Sequence, residues 1–299
     1  MAEVKTVTLA GASGRLGKPV LDALLASAKF EVTVLTREGS QASFPPSVRV
    51  IPVDYNSVEA ITDAINGQDV VVSVIGPAAI DSQVPLIEAV AATGVKRFIP
   101  SEFSADIGNP RAAALPVYEH QIRMQEIVSE KARSAPGFTY TQIRNGAFLD
   151  WGLAIGFQVN LRSENPPFFD GGDRPFSTTT LATIGEAVVG VLGHLEETKN
   201  RAVYVHDVVT TQRHLLSLAR GIAPDRKWEP VQVSTEEMER KARENYAQGL
   251  VDLQSSMGFF CRSVFAEGHG GEFKEVDNEL LGLKMKTDAD LEIILRGVL

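Results

Sequence analysis

The chain has 299 residues and a formal net charge of −9, with 44% hydrophobic and 22% charged residues. This is the composition of a soluble globular protein large enough for one big domain, or for a nucleotide domain with a smaller lobe. With no block of Lys and Arg, it excludes duplex nucleic acid and an anionic membrane as main partners, since both demand concentrated positive charge. Cys261 is the only cysteine, so an internal disulfide is impossible and a reducing, cytoplasmic compartment is expected. The first strand pattern begins near Val4, which leaves no room for a leader peptide. The longest apolar run, 70–80, is broken by Ser73, Gly76 and Pro77 and is too short to span a bilayer.

The first element is an apolar run ending in three glycines spaced three apart: Val7-Thr8-Leu9-Ala10-Gly11-Ala12-Ser13-Gly14-Arg15-Leu16-Gly17. A strand, a tight turn and a helix N-terminus in that order form the pyrophosphate cradle of a dinucleotide site. Gly11 takes the backbone angles of the turn, Gly14 lets the main chain approach the phosphates, and Gly17 lets the helix lie close to the strand. Ser13, Arg15 and Leu16 complete the turn. Arg15 either adds positive charge near the phosphates or lies along the surface on its own aliphatic stem. An ordinary strand–helix turn is the alternative, but the strand before and the helical pattern after it favour nucleotide binding.

Val20, Leu21, Leu24 and Leu25 recur at helical spacing and predict a helix over 16–28. Residues 30–36 read as a second strand, Pro45 and Pro46 punctuate a loop, and 48–53 reads as a third strand. Asp54-Tyr55-Asn56-Ser57 is a turn leading to an N-cap, with a helix through Ile61 and Ile65. Valine-rich 69–75 lacks alternation, as a strand buried on both faces requires. A helix through Val84, Ile87 and Val90 and a fifth strand over 96–100 follow. Strands alternating with helices in this way predict a parallel, doubly wound sheet.

A loop over 105–116, a helix over 117–132 and a sixth strand over 139–144 continue the pattern. From Asn145 the texture changes, with Phe148, Trp151, Phe157, Phe168 and Phe169 among glycines and prolines, as expected of loops covering the carboxyl ends of the strands. Helices are predicted over 184–195, 212–220 and 234–246, with a short strand over 202–205 and a helical last fifty residues. The expected fold class is therefore α/β: a doubly wound parallel Rossmann sheet with a smaller α+β substrate-covering lobe. The expected division is 1–150 for the NADP-binding domain and 151–299 for the substrate lobe, interleaved so that a strand or helix of the second returns to the sheet.

Arg37 stands at the end of the second strand, where an NAD site places an acid for the ribose hydroxyls. A guanidinium there fits a 2′-phosphate in bidentate fashion and predicts NADP(H). Glu38 next to it is the alternative ribose ligand, and a solvated surface arginine is the bland reading.

Together, 11–17, Thr36-Arg37 and Phe98-Ile99-Pro100-Ser101-Glu102-Phe103 resemble the isoflavone reductase and NmrA-like branch of the atypical short-chain dehydrogenases. Asn145-Gly146-Ala147-Phe148-Leu149-Asp150-Trp151 and Phe176-Ser177-Thr178-Thr179, followed by Ile184-Gly185, resemble later landmarks of its fungal members. The resemblance implies an NADP(H)-dependent reductase acting on aromatic or phenylpropanoid-like double bonds, ethers or imines. A minority of the family bind the dinucleotide as redox-responsive regulators without turnover. The resemblance also implies cofactor contacts from the glycine turn, from Arg37, and from Ile75, Gly76 and Pro77. It further implies that Pro100, Ser101, Glu102 and Phe103 flank the nicotinamide.

The family's reductases present a lysine on the helix after the Ser-Glu-Phe loop; alignment on Val117-Tyr118-Glu119 puts Gln121 there, beside His120. A glutamine can hydrogen-bond but is no useful acid near neutral pH. The Tyr-x-x-x-Lys pair of ordinary short-chain dehydrogenases is absent, because Tyr118 is followed at that spacing by Ile122, Tyr140 by Arg144 and Tyr246 by Leu250. Tyr118 is either a donor to a substrate oxygen or a core tyrosine, and His120 either a general acid or an exposed helical histidine. Asn145, Phe148, Trp151 and Phe168, with Phe103 and Phe169, are candidates to line an aromatic-substrate pocket, with lobe core as the alternative. The remaining histidines show no metal-ligand spacing, so no metal site is expected.

The expected function is hydride transfer from NADPH to a small aromatic or conjugated molecule with a polarised C=C or C=N bond. An iminium ion suits the missing lysine best, since it accepts hydride without a proton donor. The competing expectations are a non-catalytic NADP(H)-sensing regulator and an NADP-containing enzyme of a non-redox step such as cyclisation. A small-molecule substrate is the expected partner, with neither nucleic acid nor membrane, and a homodimer is left open.

Overall fold

The computed structural model describes residues 4–299. In its first third, β1 (Thr6–Ala10), α1 (Gly17–Ala26), β2 (Glu31–Arg37), β3 (Arg49–Val53), α2 (Val58–Ile65), β4 (Val70–Ser73), α3 (Gln83–Ala92) and β5 (Arg97–Ile99) follow in order, with a 3₁₀ turn at Pro77–Ser82. The five strands form one parallel sheet in the order β3-β2-β1-β4-β5. The doubly wound α/β fold expected from the sequence is thus the fold of the protein.

The valine run of β4 is buried throughout. Val70 and Val72 point to the face covered by α1, where Val20, Leu21 and Leu24 lie. Val71 points to the opposite face, against Ile61 and Ile65 of α2 and Leu86, Ile87 and Val90 of α3. Burial on both faces is what removes the alternation of polar and apolar residues from this strand.

The chain continues through α4 (Pro110–Ala113), a 3₁₀ turn at Pro116–Tyr118, α5 (Glu119–Ser134), β6 (Thr141–Arg144), β7 (Ala147–Phe148), α6 (Leu149–Ala154), β8 (Pro167–Phe169), β9 (Phe176–Thr179) and α7 (Leu181–Gly193). It ends with β10 (Arg201–Tyr204), β11 (Val208–Thr210), α8 (Gln212–Ile222), β12 (Val231–Val233), α9 (Thr235–Ala247), α10 (Leu253–Phe265) and α11 (Asp288–Arg296). The helix expected from 117 starts instead as the tight 3₁₀ turn, since Pro116 opens it, and the preceding loop contains α4, capped by Asn109. The helix expected from 184 begins at Leu181, because the Thr180 side chain accepts from the Thr183 N–H. The last fifty residues contain all of α10 and α11, separated by a non-helical stretch.

Tyr140, next to β6, meets β5 through a single parallel bridge, Phe98 to Tyr140, and β10 pairs in parallel with β6. The buried Arg97 fastens this seam: it donates to the hydroxyls of Thr139 (2.9 Å) and Thr198 (3.0 Å), to Thr141 and to the Leu195 carbonyl. Away from the sheet, β7, β9 and β11 form a small mixed sheet and β8 pairs with β12. Phe168, Phe169, Phe176, Trp228 and Phe265 form the core there with Leu215 of α8 and Leu291 of α11. Among the described residues no helix is long and apolar enough to cross a membrane.

At the amino edge of the sheet, Asp69 ties three strand starts together. Its carboxylate accepts from the N–H groups of Lys5 (2.7 Å) and Thr6 (3.0 Å) and pairs with the Lys96 ammonium at 2.7 Å. Burial alone would raise its pKa, but these partners outweigh burial and hold it at about 2. A carboxyl depressed by folding stabilises the fold above its unfolded value and loses that contribution as pH falls through the folded one. Stability is therefore expected to drop by about 1–2 kcal/mol between roughly pH 4 and pH 2 from this group. Asp69→Asn should flatten that segment of the curve in urea titrations across the range.

Candidate active site

The glycine turn joins β1 to α1 at the carboxyl end of the sheet, and β1 lies between β2 and β4, where the strand order reverses. That reversal opens the crevice in which doubly wound sheets bind ligands. Gly11 has φ +89°, and a Cβ on it would lie 2.7 Å from the Val74 carbonyl oxygen. A Cβ on Gly17 would lie 2.1 Å from the Gly11 carbonyl oxygen, so α1 reaches the strand only with glycine at that position. Like α3, α5 and α6, α1 has no side-chain cap, and no acid lies in its first turn. Its first N–H groups stay available to an anion. Arg37, exposed at the end of β2, forms no ion pair among the described residues.

A cavity of about 380 Å³ opens above the ends of β1, β4 and β5. Gly14, Arg15 and Leu16 of the turn, Ile75 and Gly76 after β4, and Ser101, Glu102 and Phe103 after β5 line one part of it. Tyr118, Gln121, Phe148 and Trp151 line another. The arginine of the turn stacks its guanidinium 4.6 Å from the centre of the Trp151 ring. A further wall comes from Leu253, Met257, Phe260 and Val264, successive inward positions of α10.

Other sequence candidates lie elsewhere. Phe168 is buried in the aromatic core away from the large sheet, on strand β8, which pairs with β12. Asn145 is wholly buried beneath the cavity and donates to the Gly146 carbonyl at 2.8 Å. His120 sits on the exposed side of α5, 3.3 Å from Asp81, facing away from the cavity that Gln121 lines. Tyr118 does reach the cavity wall, but its hydroxyl bonds to Ser263 at 2.8 Å and burial pushes its pKa up to about 12. Gly11, Ser13, Gly17, Arg37 and Pro100 do not line the cavity; Gly11 and Gly17 shape the turn beneath it, and Pro100 is buried at the end of β5.

The 101–103 loop is pinned from several sides. The Ser101 N–H donates to Gln83 (2.7 Å) and its hydroxyl to the Ile75 carbonyl (2.6 Å). Glu102 is buried and accepts from Arg144 Nε at 3.0 Å. Between these restraints and the rest of the chain, Phe103 is held at φ +34°, a left-handed conformation that costs a non-glycine residue about 1–3 kcal/mol. Arg144 also donates to Asp106 (3.1 Å) and to Tyr204, whose hydroxyl donates to Asp106 at 2.9 Å. A Cβ on Gly108 would lie 2.2 Å from Arg144 Nη1, so that glycine leaves room for the guanidinium. Burial raises the Glu102 pKa and the Arg144 charge opposes the rise.

Sequence reasoning missed Arg144, Asp106 and Tyr204; an arginine ending a strand of otherwise uncharged residues was the available signal. It also missed the α10 wall, whose apolar residues at 253, 257, 260 and 264 repeat at helical spacing.

The sequence profile of the NmrA-like family matches residues 3–262, and the chain belongs to that family. It is 35% identical over 299 residues to "Oxidoreductase poxI" of Penicillium oxalicum, covering 95% of this chain and 91% of that one. It is 32% identical over 298 residues to "Oxidoreductase aprR" of Aspergillus flavus, covering 97% and 99%. A solved structure, "AtPrR2 with NADP+ and (+)pinoresinol", shares the fold with a TM-score of 0.81 at 21% identity over 98% of this chain and all of that one.

Two carboxylates around one buried guanidinium make Arg144 the member the site can least lose. Arg144→Met is expected to destabilise the protein by about 3–5 kcal/mol by leaving Glu102 buried and unpaired. Glu102→Gln should cost markedly less, because Asp106 and Tyr204 still hold Arg144. Urea unfolding of both variants and of the double variant measures the coupling.

Proposed function

We propose that the protein is an NADPH-dependent reductase that delivers hydride to a small aromatic or conjugated molecule across a polarised C=C or C=N bond. The observation that carries this reading is the shared cavity: the glycine turn and the 101–103 loop line it together with Gln121, Phe148 and Trp151. The names of the fungal relatives and the NADP+ in the related solved structure support it.

The residues present fit a dinucleotide phosphorylated on its ribose. Glycines occupy the positions a Cβ would close, the first turn of α1 is uncapped, and a guanidinium without a counter-ion stands at the end of β2. Arg37 would hold the 2′-phosphate and the first N–H groups of α1 the pyrophosphate. Bound there, the reduced nicotinamide supplies hydride.

The chain itself orients the substrate and excludes water. Phe103, Phe148 and Trp151 give the apolar walls, and Gln121 offers an amide that hydrogen-bonds a substrate acceptor. An amide does not release a proton near neutral pH, and the Tyr118 hydroxyl is tied to Ser263 with its pKa pushed up to about 12. The favoured substrates therefore carry their own electron sink, in a strongly polarised C=C or C=N bond. The same shortage of an acid favours, as a second reading, a protein that binds NADP(H) without turning it over.

NADPH consumption against a panel of aromatic enones, quinones and cyclic imines tests the reading. Turnover with at least one cyclic imine is expected, and Arg37→Ala should raise the KM for NADPH by roughly 10–100-fold, as loss of a charge-assisted contact implies, with little change for NADH. Tight NADPH binding with no consumption by any panel member would shift the conclusion to sensing or to a non-redox step.

A further inference from the structure

Resting on that reading of the cavity as the substrate site, we infer that the substrate is an electrically neutral, hydrocarbon-rich molecule. It carries one hydrogen-bond acceptor, read by Gln121, and its apolar body runs along α10 and out over an apolar rim.

The polar side chains of the cavity give the first part of the argument. The Ser101 hydroxyl donates to the Ile75 carbonyl, that of Ser104 to the Ala105 carbonyl, and that of Tyr118 bonds to Ser263. Glu102 is held by Arg144, and the Trp151 indole N–H is buried and has no hydrogen-bond partner among the described residues. Gln121 alone among the uncharged polar side chains lining the cavity is accessible and makes no hydrogen bond among the described residues. An amide offers both a donor and an acceptor but no charge. The only charged side chain lining the cavity without a counter-ion among the described residues is Arg15, at the glycine-turn end and stacked on Trp151, where the phosphates of a dinucleotide belong. A carboxylate, phosphate or ammonium on the substrate would thus be desolvated against apolar walls with nothing to pair it.

The rim gives the second part. Nine large hydrophobic side chains are exposed among the described residues, and four of them, Ile155, Leu250, Val251 and Leu253, lie at the cavity mouth or on the turn leading into it. Ile155 and Leu253 are 44% and 54% exposed while also lining the cavity, so at these two positions apolar surface extends from the lining to the outside. Apolar surface concentrated in this way marks a contact site rather than ordinary scatter. A ligand confined to the cavity would leave this rim wet; a longer one covers it.

Binding without turnover tests the inference separately from the reductase reading. Nile red, a neutral fused-ring dye with one ketone, would be titrated beside the anionic 1-anilinonaphthalene-8-sulfonate, in the presence and absence of NADP+. Nile red is expected to bind at least tenfold more tightly than the sulfonate. Leu253→Asp should weaken it roughly tenfold and Val251→Asp about threefold, with the Gln121→Leu variant also weaker. An acid at Leu253 sits in the first turn of α10, where it suits the helix dipole, and Val251 is 66% exposed, so both variants are expected to fold, as a thermal melt would verify. Equal or tighter sulfonate binding, or Nile red binding indifferent to both aspartates, overturns the inference. Failure of the reductase reading would appear instead as NADPH that binds and is never consumed.

Discussion

The close approach of α1 to β1 is the constraint on which the rest depends. Two backbone segments meet where Gly17 faces the Gly11 carbonyl, at a distance that admits no side chain. Because α1 then starts directly above the strand, its uncapped N–H groups face the crevice between β1 and β4. The twist of a parallel sheet carries β4 and β5 past that point, and the segments leaving them, around Ile75 and Ser101, form the next stretch of the wall. One short contact in the first seventeen residues thus sets where every later loop must end.

What holds those loops is electrostatic. Arg144 closes β6 and reaches back under the 101–103 loop to Glu102, sideways to Asp106, and across to Tyr204 at the end of β10. Tyr204 in turn packs edge-on against Phe273, and its N–H donates to Asp277, so the network also engages chain from the last thirty residues. A buried ion pair contributes little to stability by itself but strongly penalises arrangements that break it. Such a penalty is suited to keeping Phe103 in a left-handed conformation that its own backbone disfavours.

The parts of this architecture that were legible in the sequence are those set by local rules. The glycine spacing, the unbroken valines of β4 and the helical repeats of α1 and α2 each arise from neighbours within one element, and each was readable. Phe168 was not, because an aromatic among glycines and prolines looks the same whether it lines a pocket or plugs a core; only the β8–β12 pairing decides. His120 and Gln121 are adjacent in sequence but about 100° apart on α5, so one faces Asp81 and the other the cavity. Arg144 and its partners span 38 to 60 positions, a separation over which no periodicity operates.

The proposed chemistry follows from how this cavity divides its tasks. Hydride transfer requires two groups brought together in a dry space, which apolar walls and a rigid sheet edge provide. Proton transfer requires an acid of suitable pKa, and the candidates are each engaged: Tyr118 by Ser263 and burial, Glu102 by Arg144, His120 by its place outside. Making Glu102 an acid would mean releasing Arg144, and with it the loop that shapes the site. A site organised in this way favours substrates whose reduced form needs no protein proton, and it leaves the electronic demand of the reaction to the substrate itself.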